Sequence, residues 1–292
     1  MQTRPAIQEM MFSQVTHKAL FEQARGYAYE YMDGIRQRPV FPDQAAIGNL
    51  DAFGGPIPQH PQPADEILRL LSANGSPATV AQTGGRYFGF VNGGALPIAL
   101  AARWLADVWD QNAALHVISP AAASLEQVCE QWLRDLLRLP PETVAGFVGG
   151  TSIATFCGLA AGRYALLKRL GWNVNEEGLF GAPPLRVVVS QQAHGTVFKA
   201  LALLGLGKTR VESVPADAQG RLDPSRMPKL DSRTLLILQA GNVNSGAFDD
   251  FEHLCGPIIV SLFHCLKKSE PLLLVFNERV ALTIGTEIYT GA

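Results

Sequence analysis

An α/β fold is the class this sequence predicts: a mostly parallel sheet flanked by helices, preceded by a helical N-terminal segment. Three observations carry the prediction. Arg186–Ser190 (RVVVS), Thr209–Val214 and Thr234–Ala240 (TLLILQA) are short and largely apolar, the texture of parallel strands buried on both faces. Stretches of helical period alternate with them, as crossovers between parallel strands require. Apolar residues make up 47% of the 292 and charged residues 17%, against roughly 25% in average usage, so the chain has ample material for a core.

Taken in order, residues 13–38 predict an amphipathic helix, with Leu20, Ala24, Tyr27, Tyr31 and Ile35 at three- and four-residue steps. Pro39, Pro42, Gly54, Gly55, Pro56, Pro58, Pro61 and Pro63 then predict an extended connector. A short helix is expected over 65–73, and Gly84–Phe90 is an aromatic, glycine-rich loop. Helices follow near 97–110 and 120–138. The second has Ser119 as N-cap, Pro120 at its first position, and a stripe of Leu125, Val128, Cys129, Trp132 and Leu136 expected to be buried. Val144–Val148 is an apolar run closing on Gly149-Gly150. The helix expected over 152–170 stops at Gly171, a residue suited to the C′ position. Residues 196–204 predict another helix, with Val197, Ala200, Leu201 and Leu204 on one face.

Composition excludes several function classes. The net charge is −2 with no basic stripe, so no nucleic-acid partner is expected. No apolar run reaches the ~18 residues of a membrane span, Pro257–Leu266 being the nearest, so no membrane partner is expected. MQTRPAIQEMMF lacks a signal-peptide core, which makes a cytoplasmic location the expectation. Four scattered cysteines (Cys129, Cys157, Cys255, Cys265) form no C-x-x-C pair, and six histidines show no H-E-x-x-H spacing, so no metal site is expected. Cys129 and Cys157 are read as small buried thiols.

In sheets of this kind ligands gather beyond the carboxyl ends of the strands. Three places there stand out. Gly149-Gly150-Thr151-Ser152 is a glycine turn with two hydroxyls opening a long helix, suited to an anion such as a phosphate. A tight turn with Ser152 as a plain cap is the alternative. It is neither a Walker loop nor a G-x-G-x-x-G fingerprint. Gln191-Gln192-Ala193-His194 follows RVVVS and could bring a flat ring to a ligand; a surface or helix-capping histidine is the alternative. Gly241–Gly246 follows TLLILQA and could supply amide and hydroxyl contacts, or form an ordinary βα turn.

The order and spacing of GRYFGFVNGG (85–94), SPAAASLEQVCEQWLRDLLRLP (119–140), GFVGGTSIATFCGLAAGRYALL (146–167), VVVSQQAHGTVFKALALLGL (187–206) and LQAGNVNSGAFDDFEHL (238–254) go further. From about residue 60 to about 256 the chain resembles the pyridoxal-phosphate-dependent group II decarboxylases, which include the aromatic amino acid, glutamate and tyrosine decarboxylases. The resemblance implies fold type I, a homodimer, pyridoxal 5′-phosphate as cofactor and an amino acid as substrate. CO₂ would leave from an imine of the two, with the pyridine drawing off the electrons. It implies that Gly150, Thr151 and Ser152 bind the phosphate, that His194 stacks on the ring as the catalytic candidate, and that Arg86, Tyr87 and Phe88 line the substrate cavity. Where relatives use hydroxyls, this chain has Gly241-Asn242-Val243-Asn244, so Asn242 and Asn244 are the expected contacts.

The same comparison divides the chain into a dimerisation segment (1–85), a cofactor-binding domain (86–256) and a tail (257–292) that no longer matches. The family's aspartate for the pyridine nitrogen should fall in LKKSEPLLLVFNE and is absent, and its cofactor lysine should fall past Ala292. The expectation is a family member truncated before that lysine, with an aberrant tail and no decarboxylation. Leu272–Phe276 and Val280–Ile284 as strands of a genuine ending are the alternative. The competing functional readings are a non-catalytic dimerisation partner, another fold type I enzyme such as an aminotransferase or desulfurase, and, most distantly, a Rossmann oxidoreductase.

Overall fold

Lys18 breaks the helix predicted over 13–38. In the computed structural model, α1 (Ala6–His17) and α2 (Ala19–Gly34) are separated by Lys18 in the left-handed region, at φ 58°. Side chains at the end of α1 bond to its own backbone: Thr16 Oγ1 donates to Phe12 O at 2.8 Å, and His17 Nδ1 lies 2.9 Å from Ser13 O. Such local bonds compete with continuation of a helix. The structure describes residues 6–90, 96–137, 143–251 and 254, with the backbone of 272–276 and 281–282. The chain divides into two units, Met1–Leu105 and Ala106–Ala292.

In the first unit the extended connector is corrected. Between Pro42 and Pro56 the chain is free of proline and forms α3 (Gln44–Gly48) and a 3₁₀ turn (Asn49–Phe53). Asp43 starts α3, its Oδ1 accepting the Ala46 N–H at 2.8 Å. α4 (Ala64–Leu70) runs on through a π turn and a 3₁₀ turn to Ala78. Arg38 ties this region together: it donates to Ser76 O and to Ser76 Oγ and lies 4.4 Å from the Tyr31 ring centre. α5 (Pro97–Trp109) spans the division between the units.

In the second unit α6 (Pro120–Leu137) starts at buried Ser119, whose Oγ accepts the Ala122 N–H at 3.3 Å. Its predicted buried stripe is corrected: Leu125, Val128, Trp132 and Leu136 are exposed, Trp132 at 68%. Helical period reports that a face is apolar, not what covers it, and among the described residues nothing does. The buried-thiol reading fails likewise, with Cys157 exposed and Cys129 half-buried; Cys255 and Cys265 lie outside the described residues.

α7 (Thr151–Arg169) ends as expected at Gly171, φ 80°. The Trp172 amide returns to Leu167 O at 2.9 Å and the Gly171 amide to Lys168 O at 3.0 Å, the paired closure that a left-handed glycine permits. After α8 (Val174–Glu177) come β1 (Arg186–Ser190), α9 (Gly195–Leu203), β2 (Val211–Val214), β3 (Thr234–Gln239), β4 (Leu272–Phe276) and β5 (Ala281–Leu282). The sheet order is β2-β1-β3-β4-β5, parallel throughout except for antiparallel β5. Val188 stands opposite both Glu212 and Leu236, and Leu273 continues the row beside Leu236. The strand-like stretch Leu272–Phe276 thus joins the sheet, and so does Ala281–Leu282 within 280–284, while the rest of 255–292, with Lys267 and Lys268, lies outside the described residues.

Strand alternation sorts the core onto two faces. Val187, Val189, Leu235 and Ile237 meet Leu159 and Leu166 of α7 and Val197, Ala200 and Leu201 of α9. Val188, Leu236 and Leu238 meet Val214 and Leu222, with Met227, Phe251 and Leu254 around them. Both faces are covered, which explains the unbroken apolar text of β1 and β3. Each fully buried leucine here contributes about 1.5–3 kcal/mol. At the opposite edge of the sheet from the strand ends, Arg186 holds Glu212 with two bonds of 2.8 Å.

Candidate functional site

The strand order decides where a ligand can sit. β1 connects through α9 to β2 on one side, while β3 leads to β4 on the other. Connections that leave neighbouring strands in opposite directions open a crevice at their carboxyl ends, the usual ligand position in parallel sheets. Here that crevice lies between the ends of β1 and β3, where the sequence places Gln191–His194 and Gly241–Gly246.

α7 packs beside α9 on one face of the sheet. Arg163, two thirds of the way along α7, donates from Nη1 to Leu204 O at 2.7 Å and so ties α7 to the carboxyl end of α9. Arg163 is half-buried and burial pulls its guanidinium below the usual arginine range.

Gly150 caps α7 in an extended conformation, φ 173°, without a side-chain cap. The Ile153 and Ala154 amides turn back to Gly150 O at 3.1 and 3.0 Å. The first amides of a helix have no partner within it and carry the positive end of its dipole. A Cβ at Gly149 or Gly150 would meet nothing within 4 Å, so the space over this turn is open. Thr151 is half-buried and Ser152 exposed. The approach is fixed from α6: Glu130 Oε2 accepts the Ala145 N–H at 2.9 Å and Arg134 Nη1 donates to Thr143 O at 3.1 Å.

His194 is the N-cap of α9. Its Nδ1 accepts the Thr196 N–H at 3.2 Å and lies 2.8 Å from Thr196 Oγ1. The residue is exposed, so Nε2 and the ring remain open to a ligand. Across the crevice, the His194 N–H donates to Gln239 Oε1 at 3.1 Å. Asn242 is buried and closes its own loop, Oδ1 accepting the Asn244 N–H at 2.9 Å and the Ser245 N–H at 3.3 Å. Asn244 is exposed beside it. Arg86, Tyr87 and Phe88 belong to the first unit: Arg86 Nη2 donates to Arg38 O at 2.5 Å, Tyr87 is half-buried and Phe88 exposed.

Two residues that pattern reading passed over hold the β3 end. Asp249, 4% exposed, accepts the Leu222 N–H on Oδ1 and the Gln239 N–H on Oδ2, both at 2.7 Å. Its own amide returns to Gln239 O at 3.0 Å. Burial pushes the Asp249 carboxyl above its ordinary range, against the pull of those two amides. The one sequence signal was a polar residue closing an apolar strand; its partners depend on strand pairing.

Four lysines of the second unit lie among the described residues. Lys168 is in the last turn of α7, Lys208 follows α9, Lys229 is bonded through its carbonyl to Arg186 at the opposite edge, and Lys199 is exposed on α9. No group of three His, Cys, Asp or Glu among the described residues could hold a metal ion. No helix among them is long and apolar enough to cross a membrane.

Comparison with known proteins matches residues 52–261 to the pyridoxal-dependent decarboxylase conserved domain. Tryptophan decarboxylase 1 of Oryza sativa subsp. japonica is 26% identical over 223 residues, 72% of this chain and 43% of that protein. The chain therefore spans less than half the length of that curated relative. Mouse CSAD in apo form superposes with a TM-score of 0.73 at 20% identity, covering 89% of this chain and 54% of that one. Oryza sativa TDC with PLP and tryptamine gives a TM-score of 0.73 at 22% identity, over 94% and 56%. The likeness to these solved structures establishes the fold: a fold type I α/β architecture, mostly parallel and flanked by helices.

Proposed function

The chain belongs to the pyridoxal-dependent decarboxylase family, and from that premise we propose that its second unit binds pyridoxal 5′-phosphate at the β1/β3 crevice, in the service of amino acid decarboxylation. The observation that carries the reading is the strand order, which sets the ends of β1 and β3 beside each other and with them His194 and the Gly241–Gly246 loop; the start of α7 is read as opening toward the same edge.

The residues present fit the group. The open space over Gly149 and Gly150 admits a phosphate against the helix start, where the dipole and the Thr151 and Ser152 hydroxyls favour an anion. His194, fixed as a cap through Nδ1, offers its ring face to a flat heterocycle and leaves Nε2 at the open edge. With the Asn242 oxygen committed to its own loop, the polar contact from β3 falls to the Asn242 amide nitrogen or to Asn244. When bound, pyridoxal phosphate supplies an electron sink for the pair released as CO₂ departs.

Residues 86–256 are the cofactor domain that the family resemblance implies, and the crevice itself belongs to the second unit. The 1–85 segment and the exposed stripe of α6 serve a homodimer. Decarboxylation also needs a lysine amine at the cofactor aldehyde. In this reading none of Lys168, Lys199, Lys208 and Lys229 supplies it, and the 292-residue chain alone binds the cofactor without releasing CO₂. That assignment favours a second reading, a cofactor-binding but non-catalytic dimerisation partner, which CO₂ assays of the chain alone and mixed with a complete relative separate from the first.

Equilibrium dialysis against pyridoxal 5′-phosphate tests the binding. Saturable uptake by the wild type is expected, weakened about tenfold (~1.4 kcal/mol) in Ser152→Ala and in His194→Ala. Equal uptake by all three proteins would overturn the assignment.

A further inference from the structure

We propose that Gln239 is a positioning residue that sets the stance of His194 across the β1/β3 crevice; the proposal rests on the reading of His194 as the residue that meets the cofactor ring. His194 has two attachments. Through Nδ1 it is held to Thr196 within its own helix start, which fixes the rotation of the ring. Through its backbone N–H it is held to Gln239 Oε1, which fixes where the helix start sits relative to β3. The donor there is a backbone N–H, so the side-chain oxygen of Gln239 must face it, and the orientation of the amide is determined.

Gln239 is itself fixed on both sides of its backbone. Its N–H donates to Asp249 Oδ2 at 2.7 Å, and its carbonyl accepts the Asp249 N–H at 3.0 Å. Asp249 is buried, and its other oxygen takes the Leu222 N–H at 2.7 Å, so it cannot turn away without leaving an amide unsatisfied. The result is a short rigid chain of bonds, Leu222 to Asp249 to Gln239 to His194, that carries the position of the β3 loop onto the ring. β1 and β3 are directly paired, Val189 opposite Ile237, so the link closes a short span between adjacent strand ends. An apolar residue at position 239 would complete β3 equally well; the amide is explained by what it holds.

The test uses the full 292-residue chain with ¹⁵N-labelled histidine. Ligand-free NMR follows hydrogen exchange of the His194 amide and the ring nitrogen shifts, and equilibrium dialysis follows pyridoxal 5′-phosphate affinity. Gln239→Met removes the acceptor at similar volume, and Gln239→Glu keeps it. Expected for Gln239→Met are faster exchange of the His194 amide, displaced ring signals, and affinity lowered roughly two- to tenfold. Gln239→Glu should restore the amide protection and the ring signals. Inorganic phosphate, which needs only the α7 start, should bind both variants as it binds the wild type. Unchanged exchange and ring signals in Gln239→Met would overturn the link, and so would altered signals with unchanged cofactor affinity. Failure of the wild type to bind pyridoxal phosphate would instead sink the proposed function, and the exchange and ring signals would still decide the link.

Discussion

Asp249 is nearly closed off from solvent yet has two amides aimed at it, and the balance between burial and bonding gives it a measurable pH signature. Burial dominates and raises its carboxyl above the ordinary value. The folded state therefore holds a proton at a pH where the unfolded chain has already lost it, so the contribution of Asp249 to stability falls as pH rises through that window and is regained on acidification. Asp249→Asn offers one acceptor where two are used, and should cost about 1–3 kcal/mol. Urea unfolding at about pH 7 and about pH 5 should show the deficit of the variant widening at the lower pH, because only the wild type gains there. A deficit that shrinks on acidification would contradict this. Gly150 makes a complementary case. Its backbone is extended and a Cβ there meets nothing, so Gly150→Ala should leave stability within about 0.5 kcal/mol while reducing phosphate and cofactor binding. Lost stability with intact binding would mean that the glycine serves the fold alone.

At the scale of elements, the loops beyond β2 and β3 are bound to each other. Ser245 Oγ donates to Gln219 O at 2.5 Å, and Gly220, at φ +79°, brings its backbone so near Asn242 that a Cβ would lie 2.4 Å from Nδ2. Gly220→Ala should therefore cost more than about 1 kcal/mol in denaturant unfolding, in contrast to Gly150→Ala. Equal costs would mean that this clasp is loose. The elements themselves were largely legible. RVVVS and TLLILQA read as buried parallel strands because both faces of β1 and β3 are covered, and Ser119, Gly150 and Gly171 mark helix ends because caps use local chemistry. What local text could not carry was anything set by distant partners. The bond from His194 to Gln239 depends on the pairing of β1 with β3, and the grip of Asp249 on Leu222 spans two loops. The break at Lys18 was hidden because both halves share one helical period.

For the whole molecule, each unit separately presents exposed apolar residues, the first on its N-terminal helices and the second on α6. Ile7, Met11, Phe12 and Val15 of α1 are open, as are Leu125, Trp132 and Leu136 of α6. Apolar surface on this scale is uncommon on a monomer. Sedimentation equilibrium of the 292-residue chain should give about twice its 31.5 kDa mass, and Trp132→Glu should shift it toward the monomer. A stable wild-type monomer at micromolar concentration would refute the dimer. The central claim is that one crevice at the carboxyl ends of β1 and β3 holds the cofactor, its phosphate at the start of α7 and its ring at His194. Crystals of the chain soaked in pyridoxal 5′-phosphate test it most directly. The account predicts difference density with the phosphate against Gly150–Ser152 and the ring against the face of His194. Density elsewhere on the chain, or an empty crevice at saturating cofactor, would contradict it.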